Sequence, residues 1–266
     1  MGCERARDSG VSAQWTLTWY LASVALLQGP PPAHDLVPGQ NNDWPSGRGL
    51  WTYRLGLREE TRHARDRFPG DSRFAFASGL AWEQEVHFWL CSRGVVLASP
   101  IARPTPGMYE AIGNLLTDAA TDFAATQSMH DPETEAKAEL HLGAIRYFQY
   151  RGDEALRLWD HVASGRGDES TRYLAFAFAG RVLAAEHPDA AIETFRRALD
   201  LRPDANSSLL SLASLLYLRN ERDEAGRRVE IALAGDAGRD DPWWGYLRGD
   251  YARFPDRLQA VRRGLQ

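Results

Sequence analysis

Cysteine is nearly absent: Cys3 and Cys91 are the two thiols in 266 residues, too few and too far apart for a disulfide framework or a zinc ribbon. Cys91 reads as a small buried apolar residue. Lysine is scarcer still, with Lys137 standing alone among arginines that are interspersed with Asp and Glu along most of the chain. The net charge is −5 and the pI near 5.8, so there is no sequence-wide basic footprint, and nucleic acid is excluded as a partner class. No apolar run spans a bilayer comfortably, which excludes a stable membrane span. The chain also lacks a G-x-S-x-G elbow, a phosphate-binding glycine loop and a dinucleotide fingerprint. No Ser, His and Asp sit together in a local catalytic motif, and neither a catalytic residue nor a cofactor is assigned.

What is present is a chain with 44% hydrophobic and 25% charged residues, enough for a sizeable core. Residues 16–27 form an uncharged apolar run followed by Gln28-Gly29 and three prolines. Its length fits the apolar core of a signal peptide, so residues 1–33 are expected to direct export, the alternative being a buried first helix of a cytoplasmic chain. Residues 34–49, rich in Gly, Pro, Asn and Asp, read as a linker or extended arm.

Helical patterning fills the rest. An apolar stripe runs from Leu50 to Phe68, and Pro69-Gly70-Asp71 separates it from a second helix over Ser72 to about Leu90. Val95 to Leu97 with Pro100, Pro104 and Pro106 then reads as an irregular excursion with no regular partner helix. Tyr109, Ile112, Leu115, Leu116, Ala119 and Phe123 recur at helical spacing. Asp131-Pro132 opens a further helix, with proline in its first turn and acidic residues at the positive end of the dipole.

From residue 172 onward one pattern is written twice. Ala179, Ala191, Phe195 and Ala198 are followed by Ala213, Ala225, Val229 and Ala232, each about 34 residues on, which is the tetratricopeptide period. Small residues let two antiparallel helices approach, and a bulky one such as Phe195 fills the adjoining hole. Leu142-Gly143 with Tyr147, and Ala155 with Trp159, form a further copy. Here the chain resembles the tetratricopeptide (TPR) family. The resemblance implies an all-α fold, a right-handed superhelical solenoid of antiparallel helix pairs, with TPR-like repeats over 131–237. Residues 50–130 form a degenerate N-terminal helical region, and 238–266, through Trp243, Trp244, Tyr246 and Tyr251, form closing helices over the last apolar face.

In that family the first helices of successive pairs line a concave groove. Carried over, the resemblance implies a peptide-binding groove lined by Lys137, Tyr147, Tyr173, Phe176, Ser207, Ser214 and Tyr217, with Leu140, Leu183 and Leu210 packing between helices. Arg73 and Lys137 would meet an acidic ligand at the rim. The function so implied is a protein–protein adaptor or scaffold that binds a peptide or protein segment, its partner and oligomeric state left open. A different class stays in view: a helical enzyme or metal protein with a site near 83–107, since Glu83, His87 and Cys91 fall on one helical face. That row lacks a second ligand motif, so no metal is assigned. His130 and His141, with Glu133, Glu135 and Glu139, read as a solvated face. Three Arg-Gly-Asp tripeptides, at 151, 166 and 248, read as turns, with Gly152 in a left-handed conformation and Asp153 and Asp168 capping helices.

Overall fold

Proline opens four of the helices, at 106, 132, 188 and 242, where its missing N–H costs nothing and its fixed φ favours the helical start. The computed structural model describes residues 59, 61–92, 104–127, 132–234 and 241–247. The expected leader and arm over 1–49, the excursion at Val95 to Pro100, His130 and the tail 248–266 lie outside the described residues. After a helical stretch at 61–67 come α1 (Ser72–Ser92), α2 (Pro106–Gln127), α3 (Pro132–Phe148) and α4 (Gly152–Ala163). They are followed by α5 (Glu169–Leu183), α6 (Pro188–Leu201), α7 (Asn206–Leu218), α8 (Arg222–Ala234) and the short α9 (Pro242–Leu247).

Each helix from α1 to α8 packs against the next, and α1, α3 and α5 also lie side by side. The architecture is all-α, with helices packed sequentially in antiparallel pairs, and three such pairs fill 132–234 as expected. First helices α1, α3, α5 and α7 make one layer and second helices α2, α4, α6 and α8 the other. Side-chain chemistry agrees with this division. On α6 the buried residues are Ala191, Ile192, Phe195, Ala198 and Leu199, a single stripe, whereas α5 buries Tyr173, Leu174, Ala175, Phe176, Ala177 and Phe178 in succession. A helix apolar on all sides is enclosed on all sides.

The N-terminal region corrects the expectation of a helix without a regular partner. α2 pairs with α1, and the crossing is built as in the later pairs. A Cβ placed on Gly79 would lie 2.7 Å from the Phe123 ring, one on Gly143 2.3 Å from Trp159 Nε1, and one on Gly180 3.1 Å from the Phe195 ring. In each of three pairs the first helix offers a glycine to the aromatic ring of its second helix. Gly79→Ala is therefore expected to overpack and lose about 1–3 kcal/mol. Gly113→Ala, mid-helix in α2 with nothing within 4 Å of the added methyl, should gain about 0.5–1 kcal/mol from helix propensity. Thermal melts of the two variants check the pair; equal shifts would contradict the crossing.

The turns follow the expected chemistry in part. Asp168 caps α5, its carboxylate accepting from the Thr171 N–H at 2.7 Å. Gly152 does not take the left-handed position. Tyr150 does, with φ 62°, as does Asn220, with φ 66°, and Gly152 instead begins α4. Arg151 N–H then closes on the Arg146 carbonyl and Glu221 N–H on that of Leu216, so α3 and α7 end in the same loop. The Tyr150 hydroxyl donates to the Pro104 carbonyl, an anchor for a residue whose left-handed backbone glycine would adopt more cheaply. Among the described residues, no helix is long and apolar enough to cross a membrane.

Candidate functional site

The first-helix layer holds a segment of the same chain. Asp241 follows the connection 235–240 after α8, and Asp241, Trp243 and Tyr246 are all buried. Each sinks into a different seat. The Asp241 carboxylate accepts from the Ser207 N–H at 2.8 Å and the Ser207 hydroxyl at 2.7 Å through Oδ2. Through Oδ1 it accepts from the Tyr173 hydroxyl at 3.1 Å and from the Trp243 N–H at 2.9 Å. With the Ser207 and Tyr173 protons so placed, the Ser208 hydroxyl is left to donate to Tyr173, 2.9 Å away. One carboxylate thus caps α9 and ties it to α5 and α7.

Phe178 of α5 is the central aromatic contact. Trp243 and Tyr246 meet it edge-on at 5.6 and 4.9 Å between centroids, while Trp159 of α4 meets it from behind at 5.6 Å. Such tilted contacts set a positive ring edge against a negative face. The Tyr246 ring also stacks on His141 at 4.9 Å, and His141 stacks in turn on Phe123 at 5.3 Å. The Tyr246 hydroxyl donates to Glu83 Oε1 at 2.5 Å, and His141 Nδ1 donates to Glu83 Oε2 at 2.6 Å. A six-residue helix is about 9 Å long, while four axes side by side cover about 24–30 Å. The segment reaches all four first helices through Glu83, His141, Phe178 and Ser207.

Electrostatics set the protonation of this cluster. Burial pushes the Glu83 carboxyl up, but the charge and hydrogen bond of His141, the charge of His87 and the Tyr246 hydrogen bond together hold it below the usual range. Burial pushes His87 down, only partly offset by Glu83. Both folded-state values therefore lie below the unfolded ones, so each group's contribution is present above the unfolded value and lost as pH falls. Stability is expected to decline as pH drops below 6.5, the ordinary value of His87, and further below 4.5, that of Glu83. His87→Leu should flatten the slope of melting temperature against pH between those two values. An unchanged slope would show that His87 titrates as if in water.

The expected groove residues fare unequally. Ser207 is half-buried and contacts the docked segment. Ser214 and Tyr217, on α7, are exposed, and the Arg222 guanidinium lies 5.7 Å from the Tyr217 ring. Tyr147 is half-buried against Trp159, 6.4 Å between centroids. Lys137 is half-buried with its ammonium 3.8 Å from Asp168, and Arg73 turns back to Asp71. Tyr173 is buried and meets the docked segment, its hydroxyl donating to Asp241, whereas Phe176 corrects the reading, being buried without a place in that seat. Phe176 packs under the Arg197 guanidinium of α6, 4.4 Å from its centroid, because α6 packs along α5. Leu140 is buried as expected of a packing residue, whereas Leu210 is half exposed at 49%.

His141 and Glu139 also depart from the solvated face. His141 is covered by Tyr246, and Glu139 is buried with Oε1 3.0 Å from His161 Nδ1. The helical row of Glu83 and His87 is present, but it faces Tyr246 and His141; the Cys91 side chain lies outside the described residues. No group of three metal-ligating side chains suited to an ion occurs among the described residues. The Trp243 and Tyr246 seats correct the expectation that these aromatics close the end of the stack, since α9 packs on α5.

No family model and no curated protein matches the sequence. Among solved structures, the chain is similar to a crystal structure of MamA at 16% identity and a TM-score of 0.48, over 73% of this chain and 95% of that one. A second crystal structure of MamA protein matches at 15% identity and a TM-score of 0.47, over 71% and 85%.

Proposed function

We propose that this chain is a protein-binding adaptor whose ligand seat is the face of the first-helix layer, and that it takes a polypeptide segment there. The observation that carries the reading is the docked segment itself, since four first helices present spaced polar and aromatic seats to one short peptide. Few, well-placed polar groups among aromatics are the features of a recognition site. The enzyme reading has less support, because Glu83 and His141 spend their hydrogen bonds on each other and on Tyr246.

The layer continues past the docked segment onto α7, where Leu210, Ser214 and Tyr217 are exposed on one helical face. A double variant, Ser214→Arg with Tyr217→Ala, should leave melting temperature within about 2 °C, since exposed substitutions rarely matter more. It is expected to lose the polypeptide that co-purifies with the parent chain from its native host. Recovery of the same polypeptide in the same amount would move the binding surface off this face.

A further inference from the structure

The seats of Asp241, Trp243 and Tyr246 are made by residues of α1, α3, α5 and α7, none of which is a sequence neighbour of the segment that fills them. Tyr246 and Glu83 are 163 positions apart. What these seats recognise is a pattern: a carboxylate, an aromatic ring two residues on, and a tyrosine three residues beyond that. We propose that residues 241–247 are a cis occupant of the adaptor's groove, and that the partner is a polypeptide carrying the same pattern, which binds by displacing them. The inference rests on the adaptor reading and adds to it the chemistry of the ligand and a built-in competitor.

Three observations support an exchangeable occupant over a fixed piece of core. The contacts are those of recognition, with a carboxylate met by three donors from α5 and α7 and a phenol hydroxyl met by a carboxylate. The segment is joined to α8 by the short connection 235–240, so it competes as a tethered ligand at an effective concentration in the millimolar range. The fit is also incomplete: His87 Nε2 is buried and has no hydrogen-bond partner among the described residues, although its ring packs 6.4 Å from that of Tyr246. A polypeptide supplying a polar group there would satisfy an atom that the cis segment leaves unpaired.

A tethered competitor lowers apparent affinity by the fraction of chains whose groove is open. The test uses the full chain and a fluorescently labelled synthetic peptide spanning residues 238–248, read by anisotropy. The peptide should bind Trp243→Ala/Tyr246→Ala at least ~10-fold more tightly than the parent, as expected for removing a millimolar internal competitor. A peptide with Asn in place of Asp241 should bind that variant at least ~10-fold more weakly than the parent peptide, through loss of charge-assisted hydrogen bonds. Should the double variant fail to fold by circular dichroism, Asp241→Asn, which keeps the side-chain volume, serves as the opened chain. Equal affinity for opened and parent chains, or no binding to a folded opened chain, overturns the proposal. The peptide assay needs no native partner, so its failure is separate from that of the Ser214 and Tyr217 capture, which tests the adaptor reading alone.

Discussion

Tyr173→Ala is expected to lose about 3–5 kcal/mol, the range for truncating a large buried aromatic. Tyr217→Ala should stay within about 0.5 kcal/mol, as exposed substitutions do. The two tyrosines occupy first helices of successive pairs, so the contrast comes from their surroundings. Tyr173 is 0% exposed and Tyr217 is 60% exposed. Burial and then the negative charge of Asp241 push the Tyr173 phenol well above its ordinary value, so at neutral pH it stays a donor to that carboxylate. Removing the side chain leaves a cavity and takes one donor from a buried anion. Tyr173→Phe separates these effects: it keeps the ring, drops the donor, and should cost about 1–3 kcal/mol, the penalty of weakening a charged hydrogen-bonded group. Urea unfolding followed by circular dichroism reads all three. If Tyr173→Ala unfolds at the same midpoint as Tyr217→Ala, the tyrosine faces solvent and the Asp241 seat is not formed.

The helix pairs were legible because their signal is local. Ala179, Ala191, Phe195 and Ala198 recur at one period, and the crossing they specify involves two helices adjacent in the chain, so periodicity and packing report the same fact. Gly79 carried that signal in the N-terminal pair too, but the residues intervening before α2 hid its partner Phe123. The site was less legible, for a reason visible at His141. It lies off the apolar stripe of its own helix, Ala138, Leu142, Ile145 and Phe148, and its burial is supplied by Phe123 on one side and Tyr246, 105 positions later, on the other. Helical spacing records which face meets the neighbouring helix; it carries no record of a segment that returns from the far end of the chain. That the Asp241 carboxylate holds Ser207 depends on how α7 is placed. Phe176 misleads the other way, since a first-helix position reads as groove where α6 and Arg197 cover it.

The second large effect concerns Trp159, where the crossing of α3 and α4 depends on a single ring. Its side chain is fully buried, its Nε1–H donates to the Leu140 carbonyl at 3.0 Å, and it packs on both Tyr147 and Phe178. Trp159→Ala should therefore lose about 3–5 kcal/mol, a large share of the 5–15 kcal/mol typical of a domain. Gly143→Ala perturbs the same contact from the opposite helix, because its methyl would sit 2.3 Å from Nε1 and 2.8 Å from Cδ1. Alone it should cost about 1–3 kcal/mol by displacing the indole. Combined with Trp159→Ala the methyl enters vacated space, the steric cost vanishes, and helix propensity favours alanine by about 0.5–1 kcal/mol. The double variant should then be no less stable than Trp159→Ala alone, a coupling of about 1–3 kcal/mol between the sites. Denaturant unfolding of the four chains measures it. Additivity within about 0.5 kcal/mol, the behaviour of sites without contact, would mean that glycine is not required at this crossing, and the same argument would then fail for Gly79 against Phe123 and Gly180 against Phe195.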